Sequence, residues 1–588
     1  MKFMKLGTRP DTFYTEQATR TVESDTPADL ILQVNNVTYL LHKFPLLPKC
    51  GLLQHLCSSS HEKESILIEL NDIPGGEDAF ELCAKYCYGI TINLSANNFL
   101  PALCAAKFLR MTESVDKGNF ILKQEAFFSS CILEGWKDSI IILQATIKLP
   151  ELSEDLGIVR RCIDSIVEKI LTPPTKVLWS YTYTRPGYNK NNRPSVPRDW
   201  WTEDISDLDI DLFRCIIIAI RTTNMLPPQL IGEALHVYAS RWLPDTRSIM
   251  SMECFMSEPR GTKERNRRAL ESIVSMVPPE QGSVSVGFLL RLLSVGNFLG
   301  VSTATKTELL RRSCQQLEEA AVDDLIFPKY SSSVECQYNI ELVLAVVESY
   351  CMLWRRQFAG KYEDDQPLSS IRKVARVIDS YLQVISKDVN LQVSKVVAIA
   401  EALPDIARPL HDELYRAINT YLKVHPNLEK ANKKWLCRIL NCQKLSPEVR
   451  AHAVKNERLP LRTVVRVFFF DQEKGPRSST PLEILSKRKQ NMAAGDDQPP
   501  EAEGRTNKVA PHRSRGGDNK DHVKTETLAS ELEKKLAIVE AEEACTCPKG
   551  KEAMEQRRMT MQNLEPTSNM SIGRSRSERS SNRGRNCR

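Results

Sequence analysis

The stretch Arg198-Asp199-Trp200-Trp201-Thr202-Glu203-Asp204-Ile205-Ser206-Asp207-Leu208 sets two adjacent tryptophans before a dense run of carboxylates. Glu203, Asp204, Asp207, Asp209 and Asp211 put five acids within nine positions. Two chemistries fit such a run. An acid/base or metal site needs a shielded pocket, shifted pKa values and a second catalytic group. A helix start needs only the positive end of the backbone dipole and its unpaired N–H groups. Leu208, Leu212, Cys215, Ile216 and Ala219 follow at helical spacing, which buries one face and turns most of the acids outward. Thr202 is the first candidate N-cap, with Asp204 and Ser206 as alternatives. Ile205 stands three residues after Thr202, so no capping box forms there. No nucleophile or base accompanies the acids, so the helix start is the stronger reading. Trp200, Trp201 and Asp204 then mark the entrance to a helical domain, with the tryptophans as packing anchors.

Downstream, residues 200–471 repeat helical patterns such as Leu342/Val346/Tyr350/Leu353 and Leu414/Ile418/Leu422. Prolines at 227–228, 278–279, 328, 404, 409 and 426 fall near the expected helix ends. No fixed-period repeat emerges, so an irregular helical domain is expected. Upstream, residues 172–199 are rich in Pro, Tyr and Asn and hold no period, as a connector would, with Trp179, Tyr181 and Tyr183 packing part of it. Cys131 to Leu143 and Leu156 to Ile170 read as amphipathic helices of an extension at 112–171.

Residues 28–111 read as an α/β module, with residues 1–27 an arm before it. Asp29-Leu-Ile-Leu-Gln-Val, the turn Asn35-Asn36 and Val37-Thr-Tyr-Leu-Leu predict a hairpin. A helix from Leu46 to Leu56, a strand at Ile66–Leu70, a helix from Ala79 and a helix capped by Ser95 complete it.

The chain has 588 residues, room for several cores, and its 17 cysteines mostly sit singly in apolar runs, which suits a reducing compartment. The N-terminus lacks the apolar run of a signal peptide, and no stretch approaches the roughly 20 apolar residues of a membrane span. A cytoplasmic protein is therefore expected. The net charge of +6 is concentrated at the end: residues 566–588 hold six arginines against Glu578. A near-neutral body with a basic tail argues against a nucleic-acid-binding fold and for a local electrostatic handle, such as one for the anionic inner face of the plasma membrane. Residues 472–524 are too polar to offset chain entropy by burial and are expected to be a disordered linker, and 544–588 a disordered basic Arg/Ser tail. Between them, Leu528, Leu532, Leu536 and Val539 fall on one side of a Glu/Lys/Ala-rich stretch, so 525–543 is expected to be a short helix or weak coiled coil.

No enzymatic motif appears. The pair Cys545/Cys547 is too closely spaced for zinc, Cys437 and Cys442 lack histidines at zinc spacing, and no phosphate loop or nucleophile elbow is present. No cofactor and no metal are expected.

Several blocks carry a resemblance. Asp29, the pair His42-Lys43, Ala79-Phe80, Tyr88-Gly89 and Ala105-Ala-Lys-Phe-Leu-Arg-Met111 resemble the BTB/POZ domain. His42-Lys-Phe-Pro-Leu-Leu, Asp72-Ile-Pro-Gly-Gly, Gly135-Trp-Lys-Asp-Ser, Trp200-Trp-Thr-Glu-Asp-Ile, Leu414-Tyr-Arg-Ala-Ile and His452-Ala-Val-Lys-Asn-Glu-Arg-Leu-Pro-Leu-Arg resemble the plant family named for non-phototropic hypocotyl three and root phototropism two. The likeness runs to about residue 472. It implies an α/β BTB/POZ domain, a mainly helical domain and a tail outside the likeness. It also implies a non-enzymatic adaptor of a cullin-three/RING ubiquitin ligase that dimerises through its BTB domain. Its helical domain would take protein targets, such as phototropin-type kinases or auxin-transport components. In this reading Asp29, His42, Lys43, Phe80 and Tyr88 are structural, and Asp29 and His42 tie strands to helix by hydrogen bonds. The loop Cys57–Ser65 lacks the hydrophobic-x-Glu element of many cullin-binding BTB domains. Tyr415 resembles a position phosphorylated in the family, although the helical pattern puts it on a core face. Ser575, Ser577 and Ser580 stand among arginines as basophilic kinase sites.

Overall fold

Asn35 takes φ +51°, the left-handed region that asparagine tolerates, and so closes the predicted hairpin. β4 (Leu30–Val34) and β5 (Val37–Leu41) pair antiparallel from Val34↔Val37 to Leu30↔Leu41. Leu30, Leu32 and Val34 point into the core while Ile31 and Gln33 do not, as the pleat requires. β6 (Ile66–Glu69) joins β4 in parallel. The computed structural model describes residues 2–58, 66–186, 188, 195–245, 259–329, 336–358 and 365–472.

The arm at 1–27 carries three strands that the sequence reading missed: β1 (Phe3–Leu6), β2 (Phe13–Glu16) and β3 (Thr19–Val22). Each is only four residues long, too short for its alternation to stand out. β2 and β3 extend the sheet to the order β2-β3-β5-β4-β6, and β1 pairs with β7 (Ile92–Ser95) in a separate two-stranded sheet. The expected helix Leu46–Leu56 is two helices, α1 (Lys43–Leu46) and α2 (Gly51–Ser58). Pro48 lies between them and has no N–H to continue the first. α3 (Gly76–Cys87) begins three residues before Ala79, after Gly75 at φ +82°. A Cβ on Gly75 would stand 2.7 Å from the Pro101 side chain, so only glycine fits there. α4 (Ala96–Phe108) is capped as expected: the Ser95 N–H donates to Asn98 Oδ1 at 2.8 Å.

The extension holds α5 (Phe120–Phe127), a π-turn at Phe128–Ile132, α6 (Trp136–Ala145), α7 (Pro150–Asp155) and α8 (Ile158–Leu171). The expected helix Cys131–Leu143 is interrupted, because the chain re-caps at Gly135 before Trp136. The body opens with α9 (Thr202–Ile205), α10 (Ile210–Thr223) and α11 (Pro228–Trp242). It continues with α12 (Arg260–Met276), α13 (Val286–Leu299), α14 (Thr303–Gln315), α15 (Ile340–Phe358) and α16 (Asp365–Ile385). The last helices are α17 (Val393–Ala402), α18 (Asp412–Val424), α19 (Lys430–Arg438), α20 (Pro447–Lys455) and α21 (Leu461–Gln472). The chain is thus a strand-rich N-terminal region followed by a mainly helical body.

One apolar cluster runs from Val22 to Val467 through module, extension and body alike. Among the described residues no helix is long and apolar enough to cross a membrane. The loop Cys57–Ser65 beyond Ser58, the 525–543 stretch and the tail lie outside the described residues.

Candidate functional site

The tryptophan–acid segment lies where the extension meets the body. Trp200 and Trp201 are fully buried. The Trp200 ring meets Trp136 of α6 edge-on, centroids 4.6 Å apart, and also touches Trp179 and Tyr181 at 5.6 Å. Connector residues Trp179 and Tyr181 therefore pack on it as expected. Around this aromatic block each acid has an assigned partner. Asp199 accepts from the Arg185 guanidinium at 2.7 Å and from the Tyr183 hydroxyl at 3.2 Å, and Arg185 also reaches Glu233 at 2.6 Å. Glu203 accepts from the Thr184 N–H at 2.8 Å. Asp207 pairs with Arg241 and Asp211 with Arg268.

Asp204 is the exception to the outward placement. It is 7% exposed, because the short α9 lies down on α6 and turns this carboxylate inward. Its Oδ2 accepts from the Trp136 indole N–H at 2.6 Å and from the Thr182 N–H at 3.1 Å. Lys137 Nζ stands 3.7 Å from Oδ1. One buried carboxylate thus ties α6, the connector and the first turn of the body together. No sequence spacing signals a contact across 68 residues.

The caps also differ from expectation. α9 has Trp201 at its N-cap position, and the Thr202 hydroxyl donates back to the Asp199 carbonyl at 2.8 Å. The long helix α10 is capped by Asp209, whose side chain accepts from the Asp211 N–H at 3.0 Å. The helix start expected at Thr202 and the apolar pattern from Leu208 onward therefore belong to two helices, broken at Ser206–Asp209. The Thr202 and Ser206 hydroxyls donate to backbone carbonyls, and the carboxylates accept from cations, N–H groups and the Tyr183 and Thr184 hydroxyls. This is a clasp, with no general base set against a nucleophile.

The BTB signature residues form a second network. Asp29 Oδ1 accepts from the Lys43 N–H at 2.7 Å and so caps α1. His42 Nε2 lies 2.9 Å from the Thr26 carbonyl, which places the ring proton there and leaves Nδ1 to accept from the Tyr88 hydroxyl at 3.0 Å. The Tyr88 oxygen in turn accepts from the His42 backbone N–H at 2.8 Å, and burial pushes its pKa up to about 12. Phe80 is buried edge-on against Tyr39 at 4.8 Å. The loop 23–28 is thereby pinned to the start of α1. Asp29→Ala should lower stability by about 1 kcal/mol, the usual net worth of one hydrogen bond, measured as a shift in denaturation midpoint.

In the body, Tyr415 sits in the core. Its hydroxyl lies 2.6 Å from His452 Nδ1 and accepts from Asn456 Nδ2 at 3.1 Å, and Asn456 also donates to Asn419. Burial raises its pKa, and the phenol is fully engaged. The sequence reading missed two further groups. Asp379 and Arg408 form a buried ion pair at 2.8 Å, and Arg408 Nη1 donates to the Ala400 carbonyl at 2.7 Å. His411, close by and buried, has its pKa lowered to about 4 by desolvation and by the Arg408 and Lys444 charges, against the opposing pull of Asp405 and Asp412. The unfolded chain therefore takes up this proton near pH 6.5 while the folded one resists it. Stability from this residue is complete above about pH 6.5 and declines as the pH falls toward 4. His411→Gln should flatten that part of the stability–pH curve, read by denaturant titration at each pH.

The buried thiols are poor nucleophiles. Desolvation raises Cys83 and Cys87 well above the ordinary thiol range and pushes Cys162, Cys314 and Cys437 up to about 12. Among the described residues no group of three or more His, Cys, Asp or Glu is placed to hold a metal ion. Ser575, Ser577, Ser580 and the pair Cys545/Cys547 lie outside the described residues.

Comparison with known proteins identifies the family. Residues 199–449 match the family model described as "NPH3 family", which begins at the clasp. A "BTB/POZ domain-containing protein" of Arabidopsis thaliana is 61% identical over 482 residues, covering 82% of this chain and 86% of that protein. The "Phototropic-responsive NPH3 family protein NPY2" of the same plant is 41% identical, covering 82% of this chain and 78% of the relative. "Root phototropism protein 3", also from Arabidopsis thaliana, is 33% identical, with 80% and 77% covered. No solved structure matches. These relatives cover about four-fifths of the chain, and the chain belongs to the NPH3 family of BTB/POZ domain-containing proteins.

Proposed function

We propose that the chain is a non-enzymatic, substrate-recognition adaptor of a cullin-three/RING ubiquitin ligase, acting in phototropic or auxin-polarity signalling. The observation that carries this is the clasp at Asp204. It fastens the extension that follows the BTB module to the helical body through one buried carboxylate, as a rigid bridge between two binding surfaces requires. The relatives' names, "Phototropic-responsive" and "Root phototropism", support the signalling context. In this reading the BTB module docks the cullin and a second copy of the chain. Phe44 on α1, 87% exposed, and Phe3 on β1 are apolar side chains suited to self-association. The body takes protein targets, with phototropin-type kinases or auxin-transport components as the candidate class. Nucleic acid is not among the expected partners.

The chain acts in the cytoplasm in this account. The tail's six arginines attract the anionic inner face of the plasma membrane, each contributing about 1 kcal/mol, and phosphorylation of Ser575, Ser577 and Ser580 opposes that attraction. The alternative is a plasma-membrane signalling scaffold that works without ubiquitination. Calorimetric titration of the full-length chain with cullin-three separates the two. Saturable binding supports the adaptor, and no heat at concentrations where the chain self-associates supports the scaffold.

A further inference from the structure

One corner of the helical body brings together a row of cations, an exposed tryptophan and two exposed aliphatic side chains. α19 buries Leu436 and Cys437 and turns Lys430, Lys434 and Arg438 outward at four-residue spacing, so they stack along one face. Trp435 lies beside that row, 43% exposed. From Lys423 to Arg438 the chain has five cations (Lys423, Lys430, Lys433, Lys434, Arg438) and one acid, Glu429.

The loop Leu403–His411 stands at the C-terminal end of this row. It is joined to the turn after α19 by the His411 N–H on the Lys444 carbonyl at 2.8 Å and by the Asn441 N–H on His411 Nδ1 at 3.2 Å. Lys444 Nζ adds a bond to the Asp405 carbonyl at 2.8 Å. From beneath, the Asp379–Arg408 pair holds the loop, with Arg408 Nε at 2.9 and 3.1 Å from the two carboxylate oxygens. A buried ion pair seldom adds stability over an apolar pair of the same size, and its best-attested use is to fix one arrangement. The arrangement fixed here carries Ile406 and Leu410 on its outside, 43% and 59% exposed. Apolar groups held rigid in this way lose little entropy when a partner covers them.

We propose that this corner docks an acidic amphipathic α-helix of a partner protein. Carboxylates four residues apart on a helix rise about 6 Å per step, the same rise that separates Lys430, Lys434 and Arg438. Apolar residues flanking them on the partner would meet Trp435, Ile406 and Leu410. The charge sign and the ladder spacing select such a helix over a bilayer. The apolar face of α19 is turned into the core and leaves one aromatic for an interface. A single exposed indole is likewise a poor stacking platform for RNA.

The inference rests on the reading of the body as the target-binding element and names the chemistry of the target. The probe is a labelled 18-residue helical peptide with glutamates at four-residue spacing beside a leucine row, titrated with the full-length chain by fluorescence anisotropy. Binding should be at least tenfold tighter than for the same peptide with glutamine, and should weaken with salt. K430E/K434E/R438E should lose it by at least tenfold and regain it with a lysine-ladder peptide. Leu410→Ser should weaken it severalfold without moving the thermal midpoint. Equal affinity for the glutamine peptide, indifference to charge reversal, or vesicle flotation with 20% anionic lipid in the absence of peptide binding would each overturn the proposal. The triple variant should still capture cullin-three. Peptide binding without cullin capture would refute the ligase reading alone, and cullin capture without peptide binding would refute this inference alone.

Discussion

Asp204→Ala is expected to lower the stability of the folded chain by about 3 kcal/mol. The substitution removes a carboxylate that is buried and accepts two N–H groups, from Trp136 and Thr182. A buried donor left without a partner costs about 1–3 kcal/mol, and bonds to an ionised acceptor lie at the upper end. Both donors are orphaned together, and water has poor access beside the Trp136–Trp200 contact. Asp204→Asn keeps one acceptor oxygen and should cost roughly half as much. Glu203→Gln is the matched control: it lies 19 residues from Thr184 at a more exposed edge and should cost under about 1 kcal/mol. Indole fluorescence during denaturation reads all three, because Trp136 and Trp200 sit at the junction. Equal effects of the Asp204 and Glu203 substitutions would remove Asp204 from its place as hub.

The second large effect lies at Arg408. Arg408→Ala leaves Asp379 buried without its cation, a change that typically costs about 3–5 kcal/mol. The pH dependence gives the loss its signature. Desolvation already raises the Asp379 pKa even beside Arg408, and removing the guanidinium raises it further. A raised acid pKa means that the folded state holds the proton longer than the unfolded state does. The variant's deficit should therefore be largest at neutral pH and shrink as the pH falls toward 4. Arg408 also lowers the His411 pKa, so its loss relieves that residue and acts in the same direction. Replacing both partners, Asp379→Leu with Arg408→Met, should recover most of the stability. If it does so while releasing the loop Leu403–His411, peptide binding at that corner falls although the fold survives.

Local patterns in the chain were readable wherever neighbours in sequence set the structure. Asn35-Asn36 between two alternating runs gave the hairpin, and Ser95 before an apolar run gave the α4 cap. Patterns failed where a tertiary contact overrode them. Asp204 looked like one more exposed acid at a helix start, and only the placement of Trp136, 68 residues earlier, turns it inward. Likewise the acids and the apolar spacing from Leu208 onward suggested one helix starting near Thr202, yet Asp209 caps a new one. β2 and β3 were invisible because four-residue strands hold only through their partners, β5 for β3 and β3 for β2. Asp379 and Arg408 are 29 residues apart, each unremarkable alone. The helix-start reading of the acids nevertheless rested on residues in plain view: apolar positions from Leu208 onward at helical spacing, and no catalytic partner brought to the acids.

The most direct test of the adaptor account is a reconstituted ubiquitination reaction containing the full-length chain, cullin-three, its RING partner and the activating and conjugating enzymes. The account predicts lysine-linked ubiquitin on the chain or its bound partner only when cullin-three is present, and no thiol-sensitive ubiquitin adduct on the chain, whose buried Cys162, Cys314 and Cys437 thiols desolvation holds protonated. Conjugation unaffected by omitting cullin-three, or a reductant-sensitive ubiquitin adduct on the chain, would contradict it.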